Sequence, residues 1–221
     1  MSSATDVPLA DPTAMTRFHH IFREALTAAP RFVGGAAPGD TDRAELVGTY
    51  YDNVLRLLHA HHEAEDLTIY PWMLERLPQH AAIFARMDAE HAAIIGPLTA
   101  AEHAVAAWRA DPTEATREAT VTGLAELEGV LVRHLDDEEA EAVPLIGQCI
   151  TVAEWGEMSG VAFQHFTGDK AWLVIGLIQE QMLPHENAAM EAGMPPPLRD
   201  FWVGSGRSTF EDFVTRLRGA G

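Results

Sequence analysis

The stretch HHEAEDLTIYP, residues 61–71, decides the fold of this chain because its pattern occurs again as HLDDEEAEAVP, residues 134–144. In both copies a histidine precedes a glutamate by four residues, and a proline follows that glutamate after six. The two pairs are His61 with Glu65, and His134 with Glu138. Positions i and i+4 share one face of an α-helix, roughly 6 Å apart along its axis, so the two side chains of each pair can ligate the same metal cluster. Two such helices facing each other predict a carboxylate-bridged pair of metal ions.

Two single histidines extend the repeat. The copies lie 73 residues apart, and an offset of 72 superposes His19 on His91. Each of these histidines lies on an apolar stripe at helical spacing. The predicted helices are A at residues 11–29, B at 42–77, C after Pro78 and D at 112–149. We therefore predict an all-α fold in which two helical hairpins form an antiparallel, up-down-up-down four-helix bundle.

The repeat also predicts which positions of helices B and D correspond. At an offset of 73, the matching positions on the two apolar stripes are Val54 and Leu127, Leu58 and Leu131, and Trp72 and Leu145. Pro71 lies inside the helical pattern, and we expect it to kink or interrupt helix B beyond the metal face.

Three regions follow from the rest of the chain. We predict a flexible N-terminus at residues 1–10, the bundle at 11–150, and a helical C-terminal extension at 151–221 that packs on the bundle. The sequence Thr151-x-x-Glu154 is a capping box, residues 170–182 are strongly apolar, and Ser208-x-x-Glu211 predicts the cap of a last short helix. Residues 31–40 and 183–206 are rich in proline and glycine.

Composition excludes several classes of partner. With 15 basic and 33 acidic residues, the formal net charge is −18, which repels phosphate backbones and anionic membranes. We expect neither nucleic acid nor a membrane as a partner. Because the N-terminus lacks the pattern of a signal peptide and Cys149 is the only cysteine, we expect a soluble, cytoplasmic protein without an intramolecular disulfide.

The four histidines and two glutamates together favour a metal site. A lone histidine on an apolar stripe is usually a core residue, and His19 taken alone favours that interpretation. Six polar groups buried together without a metal would carry a heavy desolvation penalty. The mixed imidazole and carboxylate set suits iron, and less selectively manganese or zinc. The Glu-x-x-His signature of ferritin-like bundles is absent, since Leu58 and Leu131 stand three residues before the helix B and D histidines.

Residues 11–149 resemble the hemerythrin-like proteins, also called HHE cation-binding domains. The resemblance is carried by His19, by HHEAED from His61, by AEHAAI around His91, and by RHLDDEEAEAVP around His134. It implies a non-haem centre of two iron ions, bridged by two carboxylates and an oxo or hydroxo oxygen. The implied ligands are His19, His61, Glu65, His91, His134 and Glu138.

One departure from the family concerns helix C. Oxygen-carrying members place two histidines there one turn apart, whereas Met87 and Ile95 occupy the positions one turn before and after His91. Some members instead take a ligand from the residue after the helix B histidine, which is His62 here. The alternative is that His62 is a neighbouring or surface histidine. Two irons offer about twelve positions, of which ten are filled without His62 and eleven with it.

The resemblance implies binding, sensing or redox chemistry with O2, NO or peroxide. The alternative is a di-iron oxidoreductase that acts on a small molecule in a pocket completed by the extension. Such an enzyme would be an oxidase, an oxygenase or a peroxidase/catalase-like enzyme. Cation storage is a minor third interpretation, and the extension is equally compatible with a homodimer interface. Asp66, Glu90 and Glu139 adjoin the ligands and are expected to orient imidazole N–H groups or to be solvated. His165 and His185 lie in the extension and are expected at the surface; the alternative is that they reach the open end of the bundle.

Overall fold

A computed structural model describes residues 7–166 and 170–219, and these are almost entirely helical. The α-helices are α1 Thr13–Thr27, α2 Ala29–Phe32, α3 Thr41–Ala64, α4 Tyr70–Arg76, α5 Ala81–Ala110, α6 Glu114–Glu141, α7 Val143–Cys149, α8 Val152–Phe163, α9 Ala171–Glu180, α10 Pro184–Gly193, α11 Pro196–Phe201 and α12 Arg207–Gly219. The described residues contain no strand, and one isolated bridge joins Leu9 to Thr151. The predicted all-α class is confirmed. In these two ranges no helix is both long and apolar enough to cross a membrane.

Four helices surround the predicted site. Helix α1 packs against α3, α3 against α5, α5 against α6, and α6 against α1, so each contacts two of the others. We call α1, α3, α5 and α6 the four-helix core. Val54, Leu58, Leu127 and Leu131 lie buried inside it, as their spacing predicts. Each such aliphatic side chain contributes about 1.5–3 kcal/mol by leaving water.

The first helix is shorter than predicted at both ends. Helix α1 begins at Thr13, whose N–H donates to Asp11 Oδ1 over 2.9 Å, and it ends at Thr27. A second short helix, α2, occupies part of the predicted loop. Pro30 lies in the first turn of α2, where its missing N–H is tolerated, although it could not have continued α1.

Helix B is interrupted, but earlier than Pro71 itself. Residues Glu65–Ile69 form a π-helical turn between α3 and α4, in which the Tyr70 N–H donates to the Glu65 carbonyl five residues back. A π turn adds one residue to the helix, so the side chains beyond it change face. Met73 is fully buried, whereas Trp72 is only partly buried and packs against the hydrophobic cluster that contains Leu145.

Helices C and D also differ from the prediction in their bounds. Helix α5 runs through Pro97 and ends at Ala110, and α6 begins at Glu114 rather than at Pro112. The start of α6 is set by Thr113, whose side chain accepts from the Thr116 N–H. Helix D, predicted as one helix, is divided between α6 and α7. The break lies just before Pro144, which has no N–H to donate within a helix.

The C-terminal helices pack on the four-helix core. Helix α8 begins with the predicted capping box, and α9 lies inside the predicted residues 170–182. Residues 183–206 contain α10, α11 and a π turn, and α12 continues directly from that turn. Ser208 therefore caps nothing, and its hydroxyl donates to the Ser205 carbonyl instead. Leu173 and Leu217 belong to the same hydrophobic cluster as Leu58, which joins α9 and α12 to α3.

Candidate metal centre

The seven side chains predicted as metal ligands converge inside the four-helix core, where each is only 0–7 % exposed. They form two adjacent groups. One group contains His62, His91 and His134, and the other contains His19, His61, Glu65 and Glu138. Within each group one ligating atom per residue lies within 4.8 Å of all the others. Each group brings together enough ligating atoms to hold a metal ion.

The end of α3 supplies a histidine to each group. Consecutive residues of an α-helix point about 100° apart, so His61 and His62 face different neighbours. His61 faces α1, where its ring lies 5.3 Å from that of His19. His62 faces α5, and its ring stacks on that of His91 with the centroids 4.1 Å apart.

The two buried carboxylates lie between the groups. Glu65 places Oε1 3.3 Å from His61 Nε2 and Oε2 3.6 Å from His91 Nε2. Glu138 places its Oε2 3.2 Å from His19 Nε2 and 3.8 Å from His134 Nε2. Each glutamate therefore touches both groups, which is the position that a carboxylate shared by two metal ions requires.

The imidazoles of His91 and His134 approach each other as two ligands of one metal would. Their Nε2 atoms are 3.1 Å apart. Two nitrogens bound at about 2.1 Å and at right angles to each other would be roughly 3.0 Å apart. The spacing fits a common cation.

Three outer carboxylates fix the orientation of the inner imidazoles. The Nδ1 contacts are His19 with Glu139 at 2.8 Å, His91 with Asp66 at 2.8 Å and His134 with Glu90 at 3.0 Å. With Nδ1 engaged outward, each Nε2 points into the centre and is free to ligate. These three acids are the ones whose positions in the sequence suggested this orienting role.

Several buried polar atoms of the centre have no hydrogen-bond partner. They are Nε2 of His19, His61 and His62, both carboxylate oxygens of Glu65, and Oε2 of Glu138. Buried polar atoms are almost always paired, because desolvation without a partner is costly. Metal cations among these atoms would satisfy them together, so the residues present fit the metal that their chemistry predicts.

Burial and mutual contacts set the protonation of the centre. Burial lowers the pKa of His61 and of His62 well below the usual value, which keeps both imidazoles neutral and able to ligate. Burial, reinforced by Glu138, raises the pKa of Glu65. Burial would also raise the pKa of Glu138, but its contact with His19 outweighs this and lowers it. The pKa of His19 is raised in turn, because Glu138 and Glu139 outweigh its burial.

Tyr70 is a residue of the centre that the sequence pattern did not indicate. It is buried, and its hydroxyl donates a hydrogen bond to Glu138 Oε1 over 2.6 Å. Burial and then the charge of Glu138 raise the pKa of this hydroxyl. The internal repeat could not have found it, since Val143 stands 73 residues later. Only the π turn, which rotates the chain after Glu65, turns Tyr70 inward.

A cavity of about 370 Å³ reaches the centre from one side. It lies between the end of α3, the π turn and α5, and both His62 and His91 line it. Its outer edge touches the C-terminal extension, because His165 Nε2 lies 2.6 Å from Oε2 of Glu63, another lining residue. His165 is half-exposed and belongs to this rim rather than to the buried centre.

The helical architecture and the buried cluster define a class of helical proteins that bind cations through histidines and carboxylates. The family model of the hemerythrin HHE cation-binding domain matches residues 10–146. Because this match covers well over half of the sequence, the chain belongs to that family. No curated protein and no solved structure matches the chain.

Proposed function

We propose that this protein holds two iron ions and binds or reacts with O2, NO or peroxide. The observation that supports this most strongly is the pair of adjacent histidine groups that share Glu65 and Glu138. Two irons, when bound, supply electrons to a diatomic or peroxide ligand. The chain's own contribution is to keep the imidazoles of His61 and His62 neutral and to place the two carboxylates between the groups, inside a buried core.

The ligand count supports an open coordination position. One metal would receive His62, His91 and His134 with two shared carboxylates, and the other would receive His19 and His61 with the same carboxylates. Iron prefers about six ligands. The position of His62 inside the first group supports its assignment as a fifth imidazole. With a bridging oxygen, the metal held by His19 and His61 would keep one position for an external ligand.

We also infer that the four-helix core has the antiparallel up-down-up-down topology of the family. The closed ring of contacts from α1 to α3, α5, α6 and back to α1 supports this. We place the protein in the cytoplasm on the strength of its composition, and we take residues 151–221 as an extension packed on the 11–150 bundle.

Metal loading in the absence of air is the first test. The purified chain is loaded with Fe(II), its iron content is measured, and oxygen is admitted and removed while the optical spectrum is recorded. We expect two irons per chain. Return of the colourless reduced state would support reversible binding, whereas irreversible oxidation would favour the enzyme described below.

Single variants test the ligands. Glu65→Ala and Glu138→Ala should each lose iron, while Glu63→Ala, a half-exposed glutamate of the same HHEAED stretch, should retain it. Stoichiometric iron in both of the first two variants would overturn the assignment of the site.

A second candidate function is that of a di-iron oxidoreductase acting on a small molecule. The cavity beside His62 and His91 favours it, because His165 of the C-terminal extension contacts the rim. A protein that only binds a diatomic gas does not need a cavity of this size. Peroxide consumption that depends on an added organic substrate would support the enzyme over the binding protein.

A further inference from the structure

We propose that the cavity beside His62 and His91 is the route by which small molecules reach the metal centre, and that it admits neutral molecules and cations in preference to anions. The role of the cavity as a route rests on the proposed function. The shape and the charge of the cavity are properties of the protein without metal, and they can be tested on the metal-free protein.

The cavity ends on the centre itself. His62 and His91 form its inner end, and both are otherwise buried in the four-helix core. Their stacked rings belong to the same group as His134. A molecule that fills the cavity therefore lies against two imidazoles of the metal position whose ligands are His62, His91 and His134. The position with the open site, held by His19 and His61, lies directly behind it, since Glu65 contacts both His91 and His61.

The outer part of the cavity is apolar. Leu67 and Ile95 line it and are 63 % and 57 % exposed, which is unusual for two large aliphatic side chains that flank one opening. Ile94 and Leu98, which are buried, continue the apolar surface inward. A molecule that moves along this surface leaves water before it meets the imidazoles.

The charges around the cavity are negative. Glu63, Asp66 and Asp88 line it, and no lysine or arginine of the described chain does. Glu63 contacts His165 and Asp66 contacts His91, but Asp88 forms no ion pair with any residue of the described ranges. Clefts lined by one sign of charge concentrate the field and change the local concentration of charged solutes. An anion is repelled at this opening, whereas neutral molecules and cations are not.

The volume sets an upper limit on the molecule admitted. Ligand pockets span about 300–1,000 Å³, and this cavity lies near the lower end of that range. It is far larger than a diatomic gas requires. We therefore assign to it small neutral or cationic organic molecules, together with NO, O2 and hydrogen peroxide, which carry no charge.

Alkylation of His62 in the metal-free chain tests both halves of the proposal. Iodoacetamide is neutral and iodoacetate is an anion of nearly the same size. Each forms a bond from its CH2 carbon to an imidazole nitrogen as the C–I bond breaks, so that iodide leaves and the ring loses its N–H proton to water. Modification of His62 is measured by mass spectrometry relative to His20, whose side chain is 55 % exposed. We expect the relative rate with iodoacetate to be lower than with iodoacetamide by roughly threefold or more.

Adjacent alanines provide a matched pair of variants for the route. Ala92 lines the cavity and Ala93 does not, although both are exposed residues of α5. Ala92→Phe should slow modification of His62 by both reagents about tenfold, because the reagent must displace the added ring; tenfold corresponds to about 1.4 kcal/mol in the barrier. Ala93→Phe should leave both rates unchanged. Equal rates in the two variants would overturn the route.

The charge is tested by removing one carboxylate. Asp88→Asn should bring the rate with iodoacetate closer to that with iodoacetamide and leave the neutral reagent unaffected. Glu118→Gln is the control, because Glu118 is an exposed residue of α6 that lies 16 residues, roughly 24 Å along the helix, before His134. If the two variants change the iodoacetate rate equally, the cavity does not select by charge. The net charge of the whole protein would then account for the slower reaction of the anion.

The iron-loaded protein gives the second measurement. Azide is an anion and NO is neutral, and the binding of each is followed optically after rapid mixing. Ala92→Phe should slow both, and Asp88→Asn should speed azide alone. Failure to retain iron would overturn the proposed function, whereas the alkylation results would still decide the route.

Discussion

Glu65→Met should stabilise the metal-free protein, whereas Glu138→Met should destabilise it. Glu65 and Glu138 are both almost fully buried and approach both histidine groups. Their hydrogen bonds differ. Both oxygens of Glu65 are unpaired, whereas Glu138 accepts the hydrogen bond of Tyr70.

The magnitude follows from this difference. A buried polar group without a partner costs about 1–3 kcal/mol, so Glu65→Met should raise the free energy of unfolding of the metal-free chain by about 2 kcal/mol. Met and Glu have similar helix propensities, so the helix contributes little. Glu138→Met leaves the Tyr70 hydroxyl buried and unpaired, and should lower the free energy of unfolding by about 2 kcal/mol.

Urea unfolding of chelator-treated protein, followed by circular dichroism, measures both changes. At about 2–4 °C per kcal/mol for a chain of this size, the melting temperature of Glu65→Met should rise by roughly 4–8 °C. Added Fe(II) should stabilise the wild type and neither variant, because both have lost a shared ligand. A shift of both metal-free variants in the same direction would refute the reasoning from unpaired atoms.

Three further predictions concern the same centre. Tyr70→Phe should lower the stability of the metal-free chain by about 1.5–3 kcal/mol, because it removes a hydrogen bond to the ionised Glu138, and urea unfolding measures this. His62→Ala should retain most of its iron but change its reaction with oxygen, and a variant that matches wild type in both would exclude His62 as a ligand. Because burial raises the pKa of Glu65, its carboxyl keeps a proton to a higher pH than an exposed glutamate does, and a metal ion must displace that proton. Iron affinity should therefore fall as the pH falls, with log apparent affinity dropping about one unit per pH unit for each proton released, as titration calorimetry in buffers of different ionisation enthalpy would show.

The local pattern of the chain was sufficient to predict which residues meet at the centre. His61, Glu65, His134 and Glu138 follow from helical spacing, because a period of 3.6 residues places i and i+4 on one face, whereas His62 came only from the family resemblance. Their convergence with His19 and His91 in the structure agrees with the internal repeat and with the family resemblance. The capping box at Thr151 was predictable for the same reason, since its two hydrogen bonds join residues only three apart.

The effect of each proline on its helix was less predictable from the sequence. Pro71 predicted an interruption, but the interruption is a π turn at Glu65–Ile69, one turn earlier, and Pro71 lies in the first turn of the helix that follows. Pro97, in contrast, lies within α5 without ending it. Whether a proline ends a helix depends on how the helix packs against its neighbours. The helix propensity of a single residue carries no information about that packing.

The sequence by itself determined that this is a helical protein with a histidine and glutamate cluster, because those features depend on periodicity along the chain. Only the tertiary structure decided that His61 and His62 belong to different groups, that Tyr70 reaches Glu138, and that a cavity opens beside His62. These features join residues on separate helices, or follow a change of register within one. Their distances are set by how the helices pack in three dimensions, and spacing in the sequence does not encode that directly.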